Sequence, residues 1–473
     1  MTALHDPGHH AAGANDVPDQ QTITLRGVML CILGASIALS SRESLRLSIA
    51  GFSVHPYLAP LAIVILMNGF SAFGRVPRPV VLGMTAFTTV FVILSLPTGL
   101  GTSDIVKLLT FDLTIATIAV APRTRADVRL GIAGFVTAIT TVSVIALLTQ
   151  RSGILGIEPF GEVGNKNSYS LYALPAILLA GYMLYERNAT RRFRLTMVAC
   201  TVIMTVTIFS TGNRSGWIGV TLIGVMLLSR GRRLRDVGII VVLGIGAYLV
   251  LTTFGSTEAF LFRLSRPSTT VASDETRTDL ISAGIKLGRE NLMFGVGPPA
   301  VEVRLGQELG AGQRIASHNL FASIWAGGGL ALSLAFVGLM GSFWRKPIGW
   351  QSKAPIKRRT RAPAMGSHDL GLLRMTVMLF LVRGFFAADI LTIPGFMYGF
   401  GFALAFLVLD LAQSTPFDEA VIADLDPARR GEERPARGGA KRAQASAPVA
   451  YRHRDLFAEE RARRHGHERT EQR

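Results

Sequence analysis

The sequence predicts an all-α polytopic membrane protein with about twelve transmembrane helices. Of its 473 residues, 49% are hydrophobic and only 17% are charged, and the charged residues cluster between apolar blocks. Each block holds about twenty residues, which is the length that crosses a hydrocarbon core of about 30 Å as a helix. A helix also satisfies its own backbone hydrogen bonds, as any segment in lipid must. The composition therefore excludes a soluble multidomain protein.

The apolar blocks follow one another along most of the chain. The predicted spans are Leu25–Ser41, Phe52–Phe73, Val80–Leu100, Asp104–Val120, Val128–Leu148, Ser168–Tyr185, Leu195–Ser210, Gly216–Leu228, Val237–Phe254, Asn319–Phe343, Leu372–Ala388 and Ile393–Leu411. They define a transmembrane domain over residues 25–412. The flanking segments, 1–24 and 413–473, lack apolar periodicity and predict disordered cytoplasmic tails, of which the C-terminal one is basic.

The basic residues indicate how the helices are oriented. The even-numbered interhelical segments are rich in arginine and lysine, whereas the short odd-numbered ones carry mainly Arg42, Arg46, Arg151, Lys166 and Arg214. Because basic loops remain on the cytoplasmic side, this asymmetry predicts a multi-pass protein with both termini in the cytoplasm. It also accounts for the net charge of +17. The expected partners of these charges are membrane lipids, and no binding of nucleic acid is expected.

The longest polar interruption, Gly255–Ser317, lies between the ninth and tenth predicted helices. It is expected on the outer side, since long loops cross the membrane largely regardless of charge. Thr276 and Asp279 have the spacing of a capping box, which predicts a short helix with Arg277 in its first turn. The glycines and prolines of Gly295–Pro299 predict its end. This helix is expected to lie on the outer surface, because it is too short and too polar to span.

Two arginines on the outer side are candidates for binding an anion. Arg214 lies in a very short connection between two apolar blocks. It either extends to the lipid headgroups or binds phosphate, in which case Gly212 and Gly216 would leave room for a bulky headgroup. Arg277 is either a solvated residue or a second ligand of the same anion.

His318 is the third candidate on this side. Ser317 is a plausible N-cap, which predicts that His318 lies in the first turn of the tenth membrane helix. The helix dipole disfavours an imidazolium ion there, so a neutral ring that accepts a proton is expected. The alternative is a structural histidine that anchors the end of the helix. Two arginines and a histidine on one side would together form a clamp for a polyanion with a general base beside it.

The familiar motifs of metal, nucleotide and redox chemistry are absent from the sequence. There is no HExxH, CxxC, P-loop or GxSxG segment. The two cysteines, Cys31 and Cys200, both fall within apolar blocks and predict neither a disulfide nor a metal site. No metal and no cofactor are therefore expected.

Four segments resemble the O-antigen ligase and polymerase superfamily of bacterial membrane proteins. They are Gly164–Ser168 (a GNxN segment), Asn213–Trp217 (RSGW), Arg277 with Phe294–Gly297 (R…GxG) and Ser317–Phe321 (SHNxx). Their order, spacing and common side strengthen the resemblance, which covers roughly residues 161–339. Two departures are Asn213, where the family has Ser more often, and Leu280-Ile281, where it has an aromatic residue.

The resemblance implies a GT-C-like, metal-independent and inverting glycosyltransferase. It would move a glycan from an undecaprenyl-diphosphate-linked donor to an acceptor hydroxyl of a lipid or glycan, at the outer face of the bacterial inner membrane. Arg214 and Arg277 would bind the diphosphate and stabilise its departure, and His318 would act as the general base. Further contacts to the diphosphate or glycan would come from Asn165, Asn167 and Asn319.

Two alternatives stay open at this point. A Wzy-type polysaccharide polymerase would share the donor chemistry of the ligase and differ in its acceptor. A multi-pass transporter would instead place ionisable residues in the middle of the membrane. The predicted membrane interior offers mainly Lys107, Asp112 and Arg383 for that purpose, whereas the basic residues of the motifs lie at one face.

Overall fold

The computed structural model describes most of the predicted transmembrane domain. The described residues are 23–40, 47–49, 52–98, 102–149, 166–186, 190–211, 213–229, 267–310, 313–345, 366–387 and 394–414, all within one compact unit. The ninth predicted span, Val237–Phe254, and most of both predicted tails lie outside these residues. The predicted number of twelve helices therefore stays a prediction.

The described residues are almost entirely helical. The helices are α1 (Leu25–Leu39), α2 (Leu58–Asn68), α3 (Arg78–Ser95), α4 (Thr102–Val120), α5 (Arg125–Thr149), α6 (Lys166–Met183), α7 (Arg191–Ser210), α8 (Arg214–Leu228), α9 (Pro267–Glu290), α10 (Val301–Glu308), α11 (Leu320–Trp344), α12 (Gly366–Gly384) and α13 (Pro394–Ser414). Short 3₁₀ turns cover Phe70–Arg75, Leu96–Thr98 and Pro298–Ala300. Two strands, β1 (Leu47–Ile49) and β2 (Phe52–Val54), form a small antiparallel hairpin.

Several of these helices have the length and composition of membrane spans. Within the described ranges, five segments qualify, namely Arg78–Thr98, Arg125–Thr149, Arg191–Ser210, Leu320–Trp344 and Pro394–Leu411. Shorter apolar helices cover Leu25–Leu39, Leu58–Asn68, Ser168–Met183 and Ser215–Leu228. This pattern agrees with a polytopic α-helical membrane protein.

The second predicted span differs from the structure at its start. Phe52–Val54 is a strand paired with Leu47–Ile49, and the helix begins only at Leu58. Pro56 supplies the physical reason, because a proline disfavours helical backbone in the residue before it. The apolar side chains of the hairpin read as part of a span in a hydropathy profile, although their backbone is extended.

Helix α13 lies at the centre of the bundle. In its spanning segment 94% of the residues are buried, whereas only 28% are buried in the spanning segment that contains α3. Four phenylalanines along α13 have no exposed surface, namely Phe396, Phe400, Phe402 and Phe406. The hydroxyl of Tyr398 lies 2.8 Å from the carbonyl oxygen of Gly131 in α5 and 3.1 Å from that of Leu30 in α1. Burial of this central helix against its neighbours forms the main core.

One end of the bundle is held by buried ion pairs. Arg125, at the start of α5, contacts Glu186 (3.3 Å), Asp369 in α12 (2.8 Å) and Asp410 in α13 (2.6 Å). Arg129 forms a second ion pair with Glu186 at 3.1 Å. We call these five residues the ion network and this end the ion-network end. The sequence marks the two arginines only as members of a basic loop, because their acidic partners come from distant segments.

Candidate functional site at the opposite end

The family-like segments meet at the opposite end, which we call the motif end. Here α6, α8 and α11 begin and α12 ends. Asn213 is the N-cap of α8, and its side-chain oxygen accepts hydrogen bonds from the backbone N–H groups of Ser215 (3.1 Å) and Gly216 (3.3 Å). Asparagine is among the best N-cap residues. The cap fixes Arg214 as the first residue of α8, where the helix dipole is positive.

A ring of hydrogen bonds surrounds this cap. The Asn213 amide nitrogen donates to the Ser170 hydroxyl in α6 (2.9 Å), and the Ser215 hydroxyl donates to the Asn213 oxygen (2.7 Å). Arg383, near the end of α12, donates through Nη2 to Ser170 (3.0 Å) and through Nη1 to Ser215. We call these four residues the polar ring. Its members are buried, and Arg383 has no exposed surface at all.

Gly216 has a packing role in this structure. A Cβ atom at this position would lie 2.8 Å from the Ile208 side chain and 3.3 Å from the Ser170 Cβ. The glycine therefore allows α8 to approach α6 and α7 closely. The sequence-based expectation that Gly216 leaves room for a lipid headgroup is wrong, because protein atoms fill that space. Gly212 lies outside the described residues.

His318 is an exposed residue between two buried ones. Ser317 and Asn319 are 2% and 6% exposed, while His318 is exposed and has a φ of 51°. No other residue except glycine has a positive φ among those that the structure describes. Histidine adopts this left-handed conformation more readily than most residues. Such local strain occurs often at functional sites and marks His318 as a candidate for chemistry.

The cap of α11 is Asn319, not Ser317. The Asn319 oxygen accepts from the backbone N–H of Ala322 at 3.0 Å. The Ser317 hydroxyl instead accepts from the Asn319 N–H (3.3 Å) and donates to the Asn319 carbonyl (2.9 Å). These bonds close a tight turn around His318. The predicted place of His318 in the first turn of the helix is therefore wrong, since it precedes the cap.

The end of α12 connects the Arg214 turn to the His318 turn. Two residues after Arg383, the carbonyl of Phe385 accepts from the Asn319 amide nitrogen at 3.3 Å. The rings of Phe385 and Phe321 pack with their centroids 4.6 Å apart. The same short segment thus contacts both candidate elements, through the Arg383 side chain on one side and through Phe385 on the other. The structure brings these two predicted elements together.

The helix that carries Arg277 begins earlier than predicted. Helix α9 starts at Pro267 and continues through Thr276 to Glu290, so no capping box starts it at Thr276. Its buried face packs along α11, where Gly284 lies against Ala322 and the Trp325 ring nitrogen donates to the Ile285 carbonyl (3.3 Å). Residues later in α9 contact residues later in α11, so the two helices run in the same direction. Helix α9 therefore packs alongside a spanning helix instead of lying flat on the surface.

This register places Arg277 at the motif end. It precedes Gly284 by two helical turns, or about 10 Å along the axis. Gly284 contacts Ala322, in the first turn of α11, so the backbone of Arg277 lies beyond the start of α11. The Arg277 side chain is exposed. The structure places Arg277 at the same end as His318.

The glycine segment after α9 docks into a break in α11. Helix α11 is interrupted at Gly329, with φ 53° and ψ −143°. The N–H groups of Val296 and Gly297 donate to the carbonyls of Ala326 and Gly327, both at 2.9 Å. In return, the carbonyl of Leu292 accepts from Leu330 at 2.8 Å, and that of Met293 accepts from Ala331 at 3.1 Å. Interrupted membrane helices persist where such partners satisfy the backbone.

Comparison with known families agrees with this geometry. Residues 199–337 match a family model described as O-antigen ligase. The matched segment contains Asn213–Ser215, Arg277, the docked glycine turn and His318. This match supports the resemblance to the O-antigen ligase and polymerase superfamily. No curated protein matches the sequence.

The match confirms the resemblance seen in the sequence. Together with the apolar helices, it supports a membrane enzyme of the ligase or polymerase type in glycan assembly. Ser170 and Arg383 lie outside the matched segment, so the family model did not point to the polar ring. The only sequence signal for Arg383 was an isolated charge near the end of an apolar block. That signal gave no indication of its partners.

The remaining predicted contacts are Asn165, Asn167 and Asn319, of which Asn167 lies in α6. Asn167 belongs to its first turn, one turn before Ser170, so its backbone lies at the motif end. Asn165 lies outside the described residues. Both ends of the Asn319 amide already contact protein groups. Among the described side chains, no group of three His, Cys, Asp or Glu residues is arranged to hold a metal ion.

Proposed function

We propose that this protein is an inverting membrane glycosyltransferase of the ligase type. It moves a glycan from an undecaprenyl-diphosphate-linked donor to an acceptor hydroxyl, without a metal ion, at the outer face of the bacterial inner membrane. The observation that carries the proposal is the junction at the end of α12. There Arg383 donates to Ser215 in the first turn of α8, and the Phe385 carbonyl accepts from Asn319, the cap of α11.

The donor diphosphate binds between Arg214 and Arg277 in this proposal. The α8 N-terminus adds a positive dipole end to the Arg214 position. Arginine suits this task because its charge is permanent and its donors match two phosphate oxygens at once. Preorganised positive charge stabilises the diphosphate as negative charge grows on its leaving oxygen. This term replaces the charge that a metal ion supplies in other transferases.

His318 takes the proton from the acceptor. The acceptor oxygen attacks the anomeric carbon, a new C–O bond forms, and the electron pair of the old bond leaves with the diphosphate. The proton of the acceptor hydroxyl passes to the imidazole ring. Attack occurs opposite the leaving group, so the anomeric configuration inverts. The exposure of His318 suits this role, because the acceptor must reach it from outside the bundle.

The asparagines have two different tasks in the proposal. Asn165 and Asn167 contact the diphosphate or the glycan. Asn319 holds the turn that presents His318, since its amide is engaged by Ala322 and Phe385. A polymerase would use the same donor site and differ in accepting a hydroxyl of a second glycan chain. The acceptor thus decides between the two activities.

Transfer by purified protein in liposomes tests the proposal. Wild type is compared with Arg214→Ala, Arg277→Ala and His318→Ala, given an undecaprenyl-diphosphate glycan and either a lipid or a glycan acceptor. Loss of a transition-state charge contact lowers turnover by about 100-fold or more, and loss of a general base does so by a similar factor. Arg289→Ala is the matched control for Arg277→Ala, because Arg289 is exposed in the last turn of the same helix.

Three results would contradict parts of this scheme. Full activity of His318→Ala would remove the general base. A strict requirement for an added divalent metal would remove the arginine clamp. Solute flux through liposomes that contain no lipid-linked glycan would favour the transporter instead. Product with a lipid acceptor only, or with a glycan acceptor only, separates ligase from polymerase.

A further inference from the structure

We infer that Arg383 is a positioning residue for the donor diphosphate: it holds the Arg214 turn and adds its charge beneath it. The inference rests on the proposed function, because it concerns the same site. Arg383 lies outside the segment that matches the O-antigen ligase family, which ends at residue 337. None of the family-like segments contains it.

The Arg383 side chain bridges two helices. It contacts two residues of the polar ring with two different nitrogens, Ser215 through Nη1 and Ser170 through Nη2. Both serines also bond to Asn213, the cap of α8. Arg214 directly follows that cap. A planar fork that spans two helices fixes their relative position, so Arg383 sets where α8 begins with respect to α6.

The charge of Arg383 lies close to the start of α8. Its guanidinium bonds to Ser215, in the first turn of α8, where the helix dipole is also positive. Placing a buried cation beside a positive helix end costs free energy. A diphosphate bound at Arg214 reverses the sign of this interaction, and the low dielectric of the buried position strengthens the attraction.

The contacts at the end of α12 separate the donor side from the acceptor side. Phe385 contacts Asn319 with its backbone carbonyl, so a change in the Arg383 side chain leaves that bond in place. The hydrogen bonds from Arg383 to Ser215 and Ser170 lie on the Arg214 side of the junction. A variant at Arg383 is therefore expected to affect the donor and spare the acceptor. A purely structural role predicts no such separation.

Direct binding of undecaprenyl diphosphate to the purified full-length protein, together with steady-state transfer kinetics, tests the inference. We expect Arg383→Gln to weaken binding and raise the donor KM by about 10-fold or more, since hydrogen bonds to a charged group are stronger than those between neutral groups. The acceptor KM is expected to stay near the wild-type value. Arg383→Lys keeps the charge but loses the fork, so it should recover part of the affinity. Arg374→Gln, an arginine of the same helix that contacts Trp344, is the matched control.

Each outcome decides the question. If Arg383→Gln binds undecaprenyl diphosphate as tightly as the wild-type protein and has the same donor KM, the inference is overturned. The proposed function stands in that case, provided that the wild-type protein transfers glycan. Equal changes in donor and acceptor KM would also overturn the inference. If Arg383→Gln does not fold, Ser170→Ala removes one of the two hydrogen bonds of Arg383. An unchanged donor KM in Ser170→Ala would overturn the inference. A wild-type protein that neither transfers glycan nor binds undecaprenyl diphosphate would refute both proposals.

Discussion

The two ends of helix α12 handle buried charge in opposite ways. At the ion-network end, Asp369 meets Arg125 together with Glu186 and Asp410, so charges of both signs neutralise one another. At the motif end, Arg383 donates to two serine hydroxyls beside the N-terminus of a helix. The first arrangement pairs an arginine with three carboxylates. The second places a buried arginine where the family-like segments converge.

This difference separates stability from function. Removing one member of a buried ion network leaves its partners charged and desolvated, which destabilises the fold. Removing Arg383 leaves two hydroxyls that still bond to Asn213, so the loss of stability is smaller. We therefore expect changes at the ion-network end to affect folding, and changes at the motif end to affect activity.

The largest effect is expected from Arg125→Gln. The three carboxylates that it contacts are between 2% and 8% exposed, so their charges become uncompensated. A destabilisation of about 3–5 kcal/mol is expected. Thermal unfolding and size-exclusion chromatography in detergent measure it, with Arg383→Gln as the comparison. A larger loss of stability in Arg383→Gln would reverse the contrast between the two ends.

The next largest effect is expected from Gly295→Ala, in the turn that docks into α11. Gly295 has a φ of 64°, and a Cβ atom there would collide with the backbone of Gly327 and Gly328. Backbone strain alone costs about 1–3 kcal/mol, and the collision displaces the turn that holds α9. Thermal stability and transfer activity should both fall. Gly338→Ala is the control, because the added Cβ atom would have no neighbouring atom from another part of the protein within 4 Å. An equal loss of stability and activity in Gly338→Ala would refute the docking role.

A smaller effect is expected from Asn213→Ala. It removes the cap of α8, which contributes about 0.5–2 kcal/mol, and it opens the polar ring. The transfer rate should fall more than the small change in melting temperature suggests, since Arg214 loses its fixed position. Asn213→Ser retains a capping oxygen and should retain most activity. Equal losses of transfer activity in Asn213→Ala and Asn213→Ser would show that the capping oxygen does not determine activity.

The smallest effect is expected from Lys286→Gln on the exposed side of α9. The hydrogen bond to Glu308 and the charges of Glu308 and Glu290 raise the pKa of Lys286. A raised pKa contributes stability below the unfolded-state pKa of about 10.4 and loses it as the pH rises above the folded value. The pair is exposed and screened by solvent, so we expect no measurable change in melting temperature at about pH 7. A decrease in melting temperature as large as that of Arg125→Gln would show that surface charge also stabilises the motif end.

The site could be predicted from the sequence only in part. Arg214, Arg277 and His318 stand in short segments that resemble a family, and each is read from its immediate neighbours. The sequence does not identify Asn319 as the cap, because Ser317 and Asn319 are both good capping residues and the left-handed backbone of His318 decides between them. It does not give the start of α9 either, because a capping pattern inside a helix does not end a helix that tertiary contacts continue.

Hydropathy and capping patterns predict the membrane class, most of the helix positions and the family-like segments, since both depend on neighbouring residues. Which segments share an end of the bundle depends on contacts between residues far apart in the chain. Arg383 lies 168 residues from Ser215 and 213 from Ser170, and Arg125 lies 285 from Asp410. A buried polar group needs a partner, but its own sequence does not specify which distant residue supplies it. Folding places those partners together, and with them the contrast between the two ends of α12.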